Sequence, residues 1–396
     1  MKRLALLLLA AGLSLLTACE RPRPQEAPLT LLPPLGLPPQ PLPPDSPLTQ
    51  ARVALGRMLF MDRRLSHNNT LSCAMCHVPE QGFTSNELGT AVGIEGQTVR
   101  RNSPTVLNVA YVEQLFHDGR EFSLENQVWG PLLAGNEMAN PSIGYVIEKI
   151  RALPEYAGRF EQAFGGRGPD VMTIGQALAA YQRTLLSGNS RFDRWRYGSE
   201  PDALTAEEQE GFRLFTGKAG CAACHTVGER HALFSDNRFH NTGIGYARSM
   251  GLPQKHRVRL APGVVVEVED RALASFEPPQ PDVGRYEVTL DPADAWAYRT
   301  PILRNVALTS PYMHDGSLAT LEEVVDFYDR GGIDNPQKSP LVRPLGLTPA
   351  EKRALVAFLR SLTGDNLARL VAEARSAQPG ETPPAQDPAA AYQRRY

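Results

Sequence analysis

Hydrophobic positions recur mostly at helical spacing along this chain. Residues 171–186 and 145–164 carry apolar side chains every three to four positions, a pattern that predicts amphipathic helices. Pro154 lies inside the second pattern, where it predicts a break, because proline lacks the amide hydrogen that continues a helix. Strand-like alternation is scarce, and Val264 to Val268 is the best candidate, in a Pro-containing segment that we expect to be a long loop.

Three helix starts are marked by a Thr-x-x-Glu sequence, in which the threonine and the glutamate each bind a main-chain amide of the first turn. These sequences begin at Thr205, Thr320 and Thr348, and Pro349 adds a residue that favours the first helical position. Gly331 and Gly332 mark the end of the second helix. We therefore expect a mainly α protein with few short strands.

The N-terminus has the pattern of an export signal. Lys2 and Arg3 precede an apolar run, Leu4 to Leu16, which is too short to span a bilayer. The run ends in Leu-Thr-Ala-Cys19, which resembles the cleavage site of bacterial lipoproteins and implies removal of residues 1–18 and lipidation of Cys19. The alternative is a plain secretory signal with an incidental cysteine. Both readings predict an extracytoplasmic protein, and the first predicts a lipid-anchored periplasmic one.

Composition separates two further segments from the folded part. Residues 19–47 are dense in Pro and Leu, which predicts a stiff, extended tether, and residues 376–396 are rich in Pro, Ala and Gln, which predicts a disordered tail. The folded part is expected at residues 48–375. The net charge is −2 and no basic run occurs, so nucleic acid is not an expected partner.

The chain contains an internal duplication. Ser103-Pro104 through Asn108-Val-Ala110 matches Thr300-Pro301 through Asn305-Val-Ala307, and His117-Asp-Gly119 matches His314-Asp-Gly316, with one shared offset, 300 − 103 = 314 − 117 = 197. Similar sequences, Gly56 to Phe60 and Gly211 to Phe215, precede the two halves' cysteine motifs. We expect two homologous domains, residues 48–200 and 201–375, with an insertion near residues 245–290 of the second.

The cysteines indicate the chemistry. Apart from Cys19 there are four, in two Cys-x-x-Cys-His motifs made of Cys73, Cys76 and His77 and of Cys221, Cys224 and His225. This spacing allows two thioether bonds to one porphyrin, with the histidine directed at the iron. The alternative, a pair of zinc sites, does not explain a histidine at the same place in both motifs. The sequence therefore predicts two covalently bound c-type haems.

The duplication also allows the second axial position of each iron to be compared. Tyr328 lies on the helix that follows His314, and its counterpart in the first half is residue 328 − 197 = 131, which is Pro131. Tyrosine can ligate iron and proline cannot. We therefore expect a saturated second haem and an open first haem.

Over about residues 48 to 365 the chain resembles the bacterial dihaem cytochrome c peroxidases and their relatives, the MauG enzymes. The resemblance is carried by four segments: Arg101-Asn102-Ser-Pro-Thr-Val-Leu-Asn108, Asp118-Gly-Arg120, Gly135-Asn-Glu137-Met138, and Arg304-Asn-Val306 through Pro311-Tyr-Met-His-Asp-Gly316. In these families the position of Tyr328 is a ligating methionine or, in MauG, a ligating tyrosine. The resemblance implies that the N-terminal domain carries the peroxidatic haem and the C-terminal domain the electron-transfer haem.

The resemblance also implies roles for individual residues. Gln127, Pro131 and Glu137 would line the open face of the first haem, with Glu137 transferring a proton between the two oxygens of hydrogen peroxide. A calcium ion between the haems would be held by Asn102 and by the main-chain carbonyls of Thr309 and Pro311. Many peroxidases place a distal histidine in the loop after Gly93, where this chain has Ile94.

Two departures from these families limit the comparison. His117 stands where a tryptophan usually lies between the haems, and Ala219 stands where MauG has a surface tryptophan. The first expectation is a peroxidase that reduces hydrogen peroxide with electrons from a small cytochrome c or copper protein. The alternatives are a MauG-like enzyme that uses peroxide to oxidise residues of a partner protein, and a dihaem electron carrier without catalysis.

Overall fold

A computed structural model of the chain describes residues 26–251, 255–261, 264–269 and 281–376. The expected signal peptide, Cys19 and nearly all of the expected tail lie outside the described residues. The helices of the N-terminal part are α1 (Gln50–Met61), α2 (Cys73–Cys76), α3 (Leu124–Gln127), α4 (Trp129–Leu133), α5 (Ile143–Ala152), α6 (Arg159–Ala163), α7 (Val171–Arg183) and α8 (Arg191–Tyr197). Those of the C-terminal part are α9 (Ala206–Thr216), α10 (Ile244–Ser249), α11 (Tyr286–Thr289), α12 (Leu321–Asp329), α13 (Pro349–Arg360) and α14 (Leu367–Arg375).

The expected mainly helical fold is confirmed. Helices α9, α12 and α13 begin after Thr205, Thr320 and Thr348, and each of these threonines forms the reciprocal capping box that its sequence predicts. The apolar pattern around Pro154 divides into α5 and α6, because proline removes a helical hydrogen bond. No helix within the described residues is long and apolar enough to cross a membrane.

The strands are short and antiparallel. β1 (Phe239–His240) pairs with β4 (Tyr298–Arg299), and β2 (Lys255–Ala261) pairs with β3 (Val264–Glu269). The strand expected at Val264 to Val268 is therefore confirmed. The expectation of a long loop around it is wrong for this stretch, because β2 supplies a pairing partner that satisfies the main-chain groups of β3.

Each half is built on one close crossing of two helices. α1 crosses α7 at Gly56, where a Cβ atom would lie 1.8 Å from the carbonyl oxygen of Ala177. α9 crosses α13 at Gly211, where a Cβ atom would lie 2.0 Å from the carbonyl oxygen of Ala354. Only glycine allows two helix backbones to approach this closely. Apolar side chains of each pair lie in two separate hydrophobic cores; the first also includes Leu370 and Ala374 of α14, and the second also includes Phe192 of α8.

Local backbone features recur at the offset of 197 residues. An isolated bridge joins Leu115 to Glu121 in the first half and Tyr312 to Leu318 in the second, and 115 + 197 = 312. Asn108 and Asn305, also 197 apart, both adopt the left-handed conformation, with φ of 60° and 62°. The two segments that match in sequence therefore share an unusual backbone path.

The described part of the Pro-rich segment corrects the expectation of a free tether. Residues 26–47 lie against the folded body, and Leu37 is buried with Tyr111 and Leu186. The carbonyl of Pro38 accepts a hydrogen bond from the Tyr111 hydroxyl in the first half, at 2.9 Å. The carbonyl of Gly36 accepts one from the amide of Ala232 in the second, at 3.1 Å. An extended proline-rich segment leaves its main-chain carbonyls without internal hydrogen bonds. Here donors in both halves of the protein form hydrogen bonds with two of these carbonyls.

A buried ion pair anchors this segment. The guanidinium of Arg304 donates two hydrogen bonds to the carboxylate of Asp193, both at 2.8 Å, and one to the Gly36 carbonyl at 2.5 Å. Arg304 and Asp193 are 1% and 0% exposed at their side chains, so neither charge is solvated if the other is removed. Gly36 has φ of +86°, and a Cβ there would lie 1.9 Å from Asp193 Oδ1.

Replacing Arg304 with methionine is expected to lower the free energy of unfolding by about 3–5 kcal/mol, because Asp193 would remain buried without its partner. The matched control is Arg360→Met, which breaks an ion pair with Glu322 whose side chains are 59% and 55% exposed. The control is expected to cost under about 1 kcal/mol. Guanidinium denaturation of the holoprotein measures both, and equal losses would contradict this role for Arg304.

Candidate functional site

The first Cys-x-x-Cys-His motif is one short helix with its histidine at the end. α2 spans Cys73 to Cys76, and the amide of His77 donates to the carbonyl of Cys73 at 2.9 Å. This turn brings the two thiols and the imidazole to one side of the chain. Burial lowers the pKa of His77 to about 4, so the imidazole is neutral, which is the form that ligates iron.

The second motif has the same plan with a tighter turn. The amide of His225 donates to the carbonyl of Cys221 at 2.9 Å. The Nδ1 atom of His225 donates to the carbonyl of Phe234 at 2.8 Å, which leaves Nε2 as the free nitrogen. Burial lowers the pKa of this imidazole too. A metal-bound histidine commonly has its other nitrogen oriented in this way by a carbonyl.

The surroundings of the two histidines correspond. His77 lies 6.4 Å from the ring of Phe60 on α1, and His225 lies 6.4 Å from the ring of Phe215 on α9, measured between ring centroids. Nδ1 of His77 is buried and has no hydrogen-bond partner within the described residues. Thiols, neutral imidazoles and apolar walls are the groups that a covalently bound haem requires, so the residues at both motifs fit that cofactor.

A cavity of about 290 Å³ extends from the second motif to the first half. Its walls include residues of both halves, and apolar side chains predominate near the second motif. The lining from the second half includes Cys221, Cys224, His225, Val325, Tyr328 and Leu355; the lining from the first half includes Thr84, Asn102, Pro104, Leu107 and His117.

Tyr328 shares this cavity with His225. It lies near the C-terminal end of α12, and Leu321, Val324 and Val325, earlier in the same helix, also line the cavity. Burial raises the pKa of the phenol well above its ordinary range in the absence of a metal, and the thiols of Cys221 and Cys224 add to this. The arrangement brings the expected second ligand into the same site as His225. A cation such as ferric iron would reverse the effect of burial on this group.

The residues expected on the open face of the first haem are also close together. Gln127 ends α3 and Pro131 lies on α4, and Val128 between these helices keeps helical angles, so Gln127 and Pro131 are one turn apart. The Pro131 carbonyl accepts a hydrogen bond from the amide of Met138 at 3.1 Å, which brings the neighbouring Glu137 to this turn.

Burial raises the pKa of the Glu137 carboxyl, and the positive charge of Arg120 opposes this shift. Burial raises the pKa of the Cys73 and Cys76 thiols, and the negative charge of Glu137 adds to the rise at both, so the Glu137 carboxyl acts on the first motif. A carboxyl with a raised pKa beside an iron site suits proton transfer near neutral pH. The sequence did not indicate that Arg120 lies close enough to Glu137 to influence its pKa.

The three residues expected to hold calcium line the same cavity. Asn102, Thr309 and Pro311 all contribute to its wall. The side-chain amide nitrogen of Asn102 donates to the carbonyl of Gly89 at 2.9 Å, so its amide oxygen is not used in that bond. Oxygen atoms of this kind are the ligands that calcium prefers.

His117 lies between the halves as a neutral side chain. Its Nε2 donates to the carbonyl of Asn102 at 2.9 Å, and burial lowers its pKa to about 3. His314, its counterpart at the offset of 197, is also buried and stacks on the ring of Tyr298 with 3.5 Å between centroids. Imidazole is much harder to oxidise than the indole usually found at the position of His117.

Some contacts near the cavity could not be read from the sequence. Arg101 forms buried ion pairs with Asp118 of the first half, at 2.6 Å, and with Asp282, within the expected insertion, at 2.7 Å. Beside Cys224, Nε2 of His240 lies 2.8 Å from Asp236, and both side chains are largely buried. The four-residue spacing of Asp236 and His240 is the one signal that could have suggested this pair.

Comparison with known proteins gives consistent results. Residues 50–201 match the family model described as di-haem cytochrome c peroxidase. The chain is 41% identical over 345 residues to the cytochrome-c peroxidase IdrP1 of Denitromonas iodatirespirans, covering 84% of this chain and 86% of the relative. It is 40% identical over 326 residues to the methylamine utilization protein MauG of Methylorubrum extorquens, covering 82% of each.

A solved structure gives the same result for the fold. The crystal structure of a MauG-like protein associated with microbial copper homeostasis superposes with a TM-score of 0.70 at 32% identity. The match covers 87% of this chain and 97% of that chain.

Proposed function

Because the chain belongs to the di-haem cytochrome c peroxidase family, which includes MauG, we propose that it reduces hydrogen peroxide to water at an open N-terminal haem. Electrons reach this haem through the C-terminal haem from a small cytochrome c or copper protein. His77 and His225 are the proximal ligands, and the thiols of Cys73, Cys76, Cys221 and Cys224 carry the thioether bonds.

One observation supports this division of roles. Tyr328 lines the cavity of the second motif, whereas its counterpart, Pro131, has no side-chain atom that can ligate iron. A half-buried carboxyl, Glu137, acts on the cysteines of the first motif, where a reactant can use it. One site therefore offers two protein ligands, and the other offers one ligand and an acid–base group.

When bound, the haems supply iron that accepts peroxide in the first half and exchanges electrons in both. The Glu137 carboxylate takes the proton from the inner peroxide oxygen and returns it to the outer oxygen, so that the outer oxygen can leave as water. Two electrons from the donor and two protons from solvent complete the reduction to two molecules of water. Gln127 and Pro131 form the wall of the peroxide site on the adjacent turn.

A second candidate function follows from Tyr328. A phenolate ligand stabilises oxidised iron more than a thioether does, which favours holding oxidising equivalents on the second haem. This supports a MauG-like reaction in which peroxide oxidises residues of a partner protein. Ala219 and His117 replace tryptophans of the MauG route, so the partner and the path to it would differ from those of MauG.

The calcium ion and the location complete the proposal. Asn102 and the carbonyls of Thr309 and Pro311 bind calcium between the haems; this part of the proposal is supported by the three residues lining one cavity. The mature protein is periplasmic and is held to the membrane by lipid on Cys19.

Cys19→Ser is expected to move the protein from the membrane fraction to the soluble periplasmic fraction, because the variant has no thiol to carry the lipid. Retention of the variant in the membrane fraction would contradict the anchor.

The function is tested by mixing the ferric holoprotein with hydrogen peroxide in a stopped-flow spectrometer. A peroxidase is expected to show a rapid change in the spectrum of the first haem, whereas an electron carrier is expected to show none. Steady turnover with reduced cytochrome c or a reduced copper protein then supports the peroxidase. Rapid reaction with peroxide but no turnover with either donor would favour the MauG-like reaction.

Replacing Glu137 with glutamine is expected to lower the second-order rate constant for peroxide by about 10²- to 10⁴-fold, because the proton transfer loses its base. The reactive form of Glu137 is the carboxylate, whose pKa burial raises. The wild-type rate constant is therefore expected to fall as the pH falls through a value above the ordinary pKa range of glutamate. This acid limb of the pH–rate profile is expected to be absent in the variant, and an acid limb that persists in Glu137→Gln would contradict the assignment.

Replacing Tyr328 with phenylalanine is expected to change the spectrum of the second haem, because its iron loses an axial ligand, and to leave the number of haems per chain unchanged. The matched control is Tyr312→Phe, since Tyr312 lines the same cavity but donates its hydroxyl to the Val306 carbonyl at 3.0 Å. Electron paramagnetic resonance of the ferric proteins measures the spin state. An unchanged second-haem signal in Tyr328→Phe would contradict the assignment of Tyr328 as an axial ligand.

A further inference from the structure

Glu137 lies on a turn rather than on a regular element. α4 ends at Leu133, and the amide of Glu137 donates to the carbonyl of Ala134 at 3.0 Å. Hydrogen bonds to Pro131 and Leu132 fix one side of this turn to α4. A carboxyl on such a turn keeps its position only if the other side is also held.

A tight hairpin, residues 91–99, holds that other side. Val92 pairs with Thr98, the amide of Gly93 donates to the Gln97 carbonyl at 2.7 Å, and the amide of Val99 donates to the Ala91 carbonyl at 3.2 Å. The hairpin is thus closed by its own main-chain bonds. Ile94, near its tip, is 4% exposed, so this side chain is packed inside the protein, whereas Glu95 and Gly96 beside it are exposed.

Two hydrogen bonds join this hairpin to the turn of Glu137. The amide of Ile94 donates to the main-chain carbonyl of Glu137 at 2.9 Å. The side-chain amide of Asn136 donates to the carbonyl of Thr98 at 3.1 Å. The first of these bonds involves the main chain of Glu137 itself, so a shift of the hairpin tip shifts the residue that carries the carboxyl.

Gly93 brings the two backbones into contact. A Cβ atom at this position would lie 2.0 Å from the carbonyl oxygen of Asn136 and 2.9 Å from Cα of Glu137. The φ of Gly93 is −90°, an extended conformation that any residue adopts, so the close approach rather than backbone strain requires glycine.

We propose that the 91–99 hairpin is a main-chain clamp that positions Glu137 for the peroxide reaction, with Gly93 as the residue that allows the clamp to close. The inference rests on the proposed function of Glu137. Gly93 and Ile94 are positioning residues, since they act through Glu137 and offer no side-chain group to the reactant. The clamp keeps the peroxide site assembled without a movement of the hairpin.

The test uses holoprotein carrying Gly93→Ala, with Gly144→Ala as the matched control. Gly144 lies on the exposed face of α5, and a Cβ there would meet only Ser142 Oγ at 3.8 Å. In Gly93→Ala the backbones must separate by about 1 Å or more, and the rate constant for peroxide is expected to fall about 10- to 100-fold, whereas the control keeps the wild-type rate. Amide hydrogen exchange of the peptide containing Ile94 is expected to accelerate in Gly93→Ala alone.

A double variant shows whether the effect acts through Glu137. Adding Gly93→Ala to Glu137→Gln is expected to cause no further loss of rate, since the group that the clamp positions is already gone. Asn136→Ala, which removes the bond to Thr98 without a steric clash, provides a milder variant, with a several-fold loss expected, if Gly93→Ala does not fold.

Three results would overturn the inference. Gly93→Ala with wild-type exchange and rate would show that no clamp exists. Equal losses from Gly93→Ala in the wild-type protein and in the Glu137→Gln variant would show that the hairpin acts elsewhere. A wild-type rate in Glu137→Gln alone would overturn the proposed function of Glu137 and the positioning role with it. The first two results overturn only the positioning role, so the two kinds of failure can be distinguished.

Discussion

The structure depends on the burial of two imidazoles, His77 and His225, each beside a pair of cysteines. Removal from water lowers the pKa of both rings, so each remains neutral. The walls around them come from close helix crossings, which exist because Gly56 and Gly211 let two backbones touch. A flat, apolar cofactor can pack against the apolar side chains of these walls. It would then become part of the hydrophobic core around each imidazole.

The two halves differ in what lies opposite these imidazoles. The second half directs a tyrosine from α12 into the cavity, and the first half has a proline at the matching position with a half-buried carboxyl nearby. The proposed function depends on this difference, because an iron with two protein ligands exchanges electrons and an iron with one can also bind a reactant.

Long-range polar contacts hold the halves against each other. The Pro-rich segment binds both halves and is anchored by the buried pair of Arg304 and Asp193. Arg101 joins the first half to the expected insertion of the second through Asp282. Buried pairs of this kind tolerate little displacement, since separating them leaves a charge without solvent. They therefore resist movement of one half against the other.

The amino-acid sequence by itself determined the local features: the helix starts at Thr205, Thr320 and Thr348, the break at Pro154, the two haem motifs, and the contrast between Pro131 and Tyr328. These depend on neighbours within a few residues or on comparison of the two halves. Tertiary structure alone decided the packing of residues 26–47, the buried pair of Arg304 and Asp193, and the contact of Gly93 with the turn of Glu137. Composition cannot indicate these because each joins residues far apart in the chain, and their energies arise only when folding excludes water from both partners.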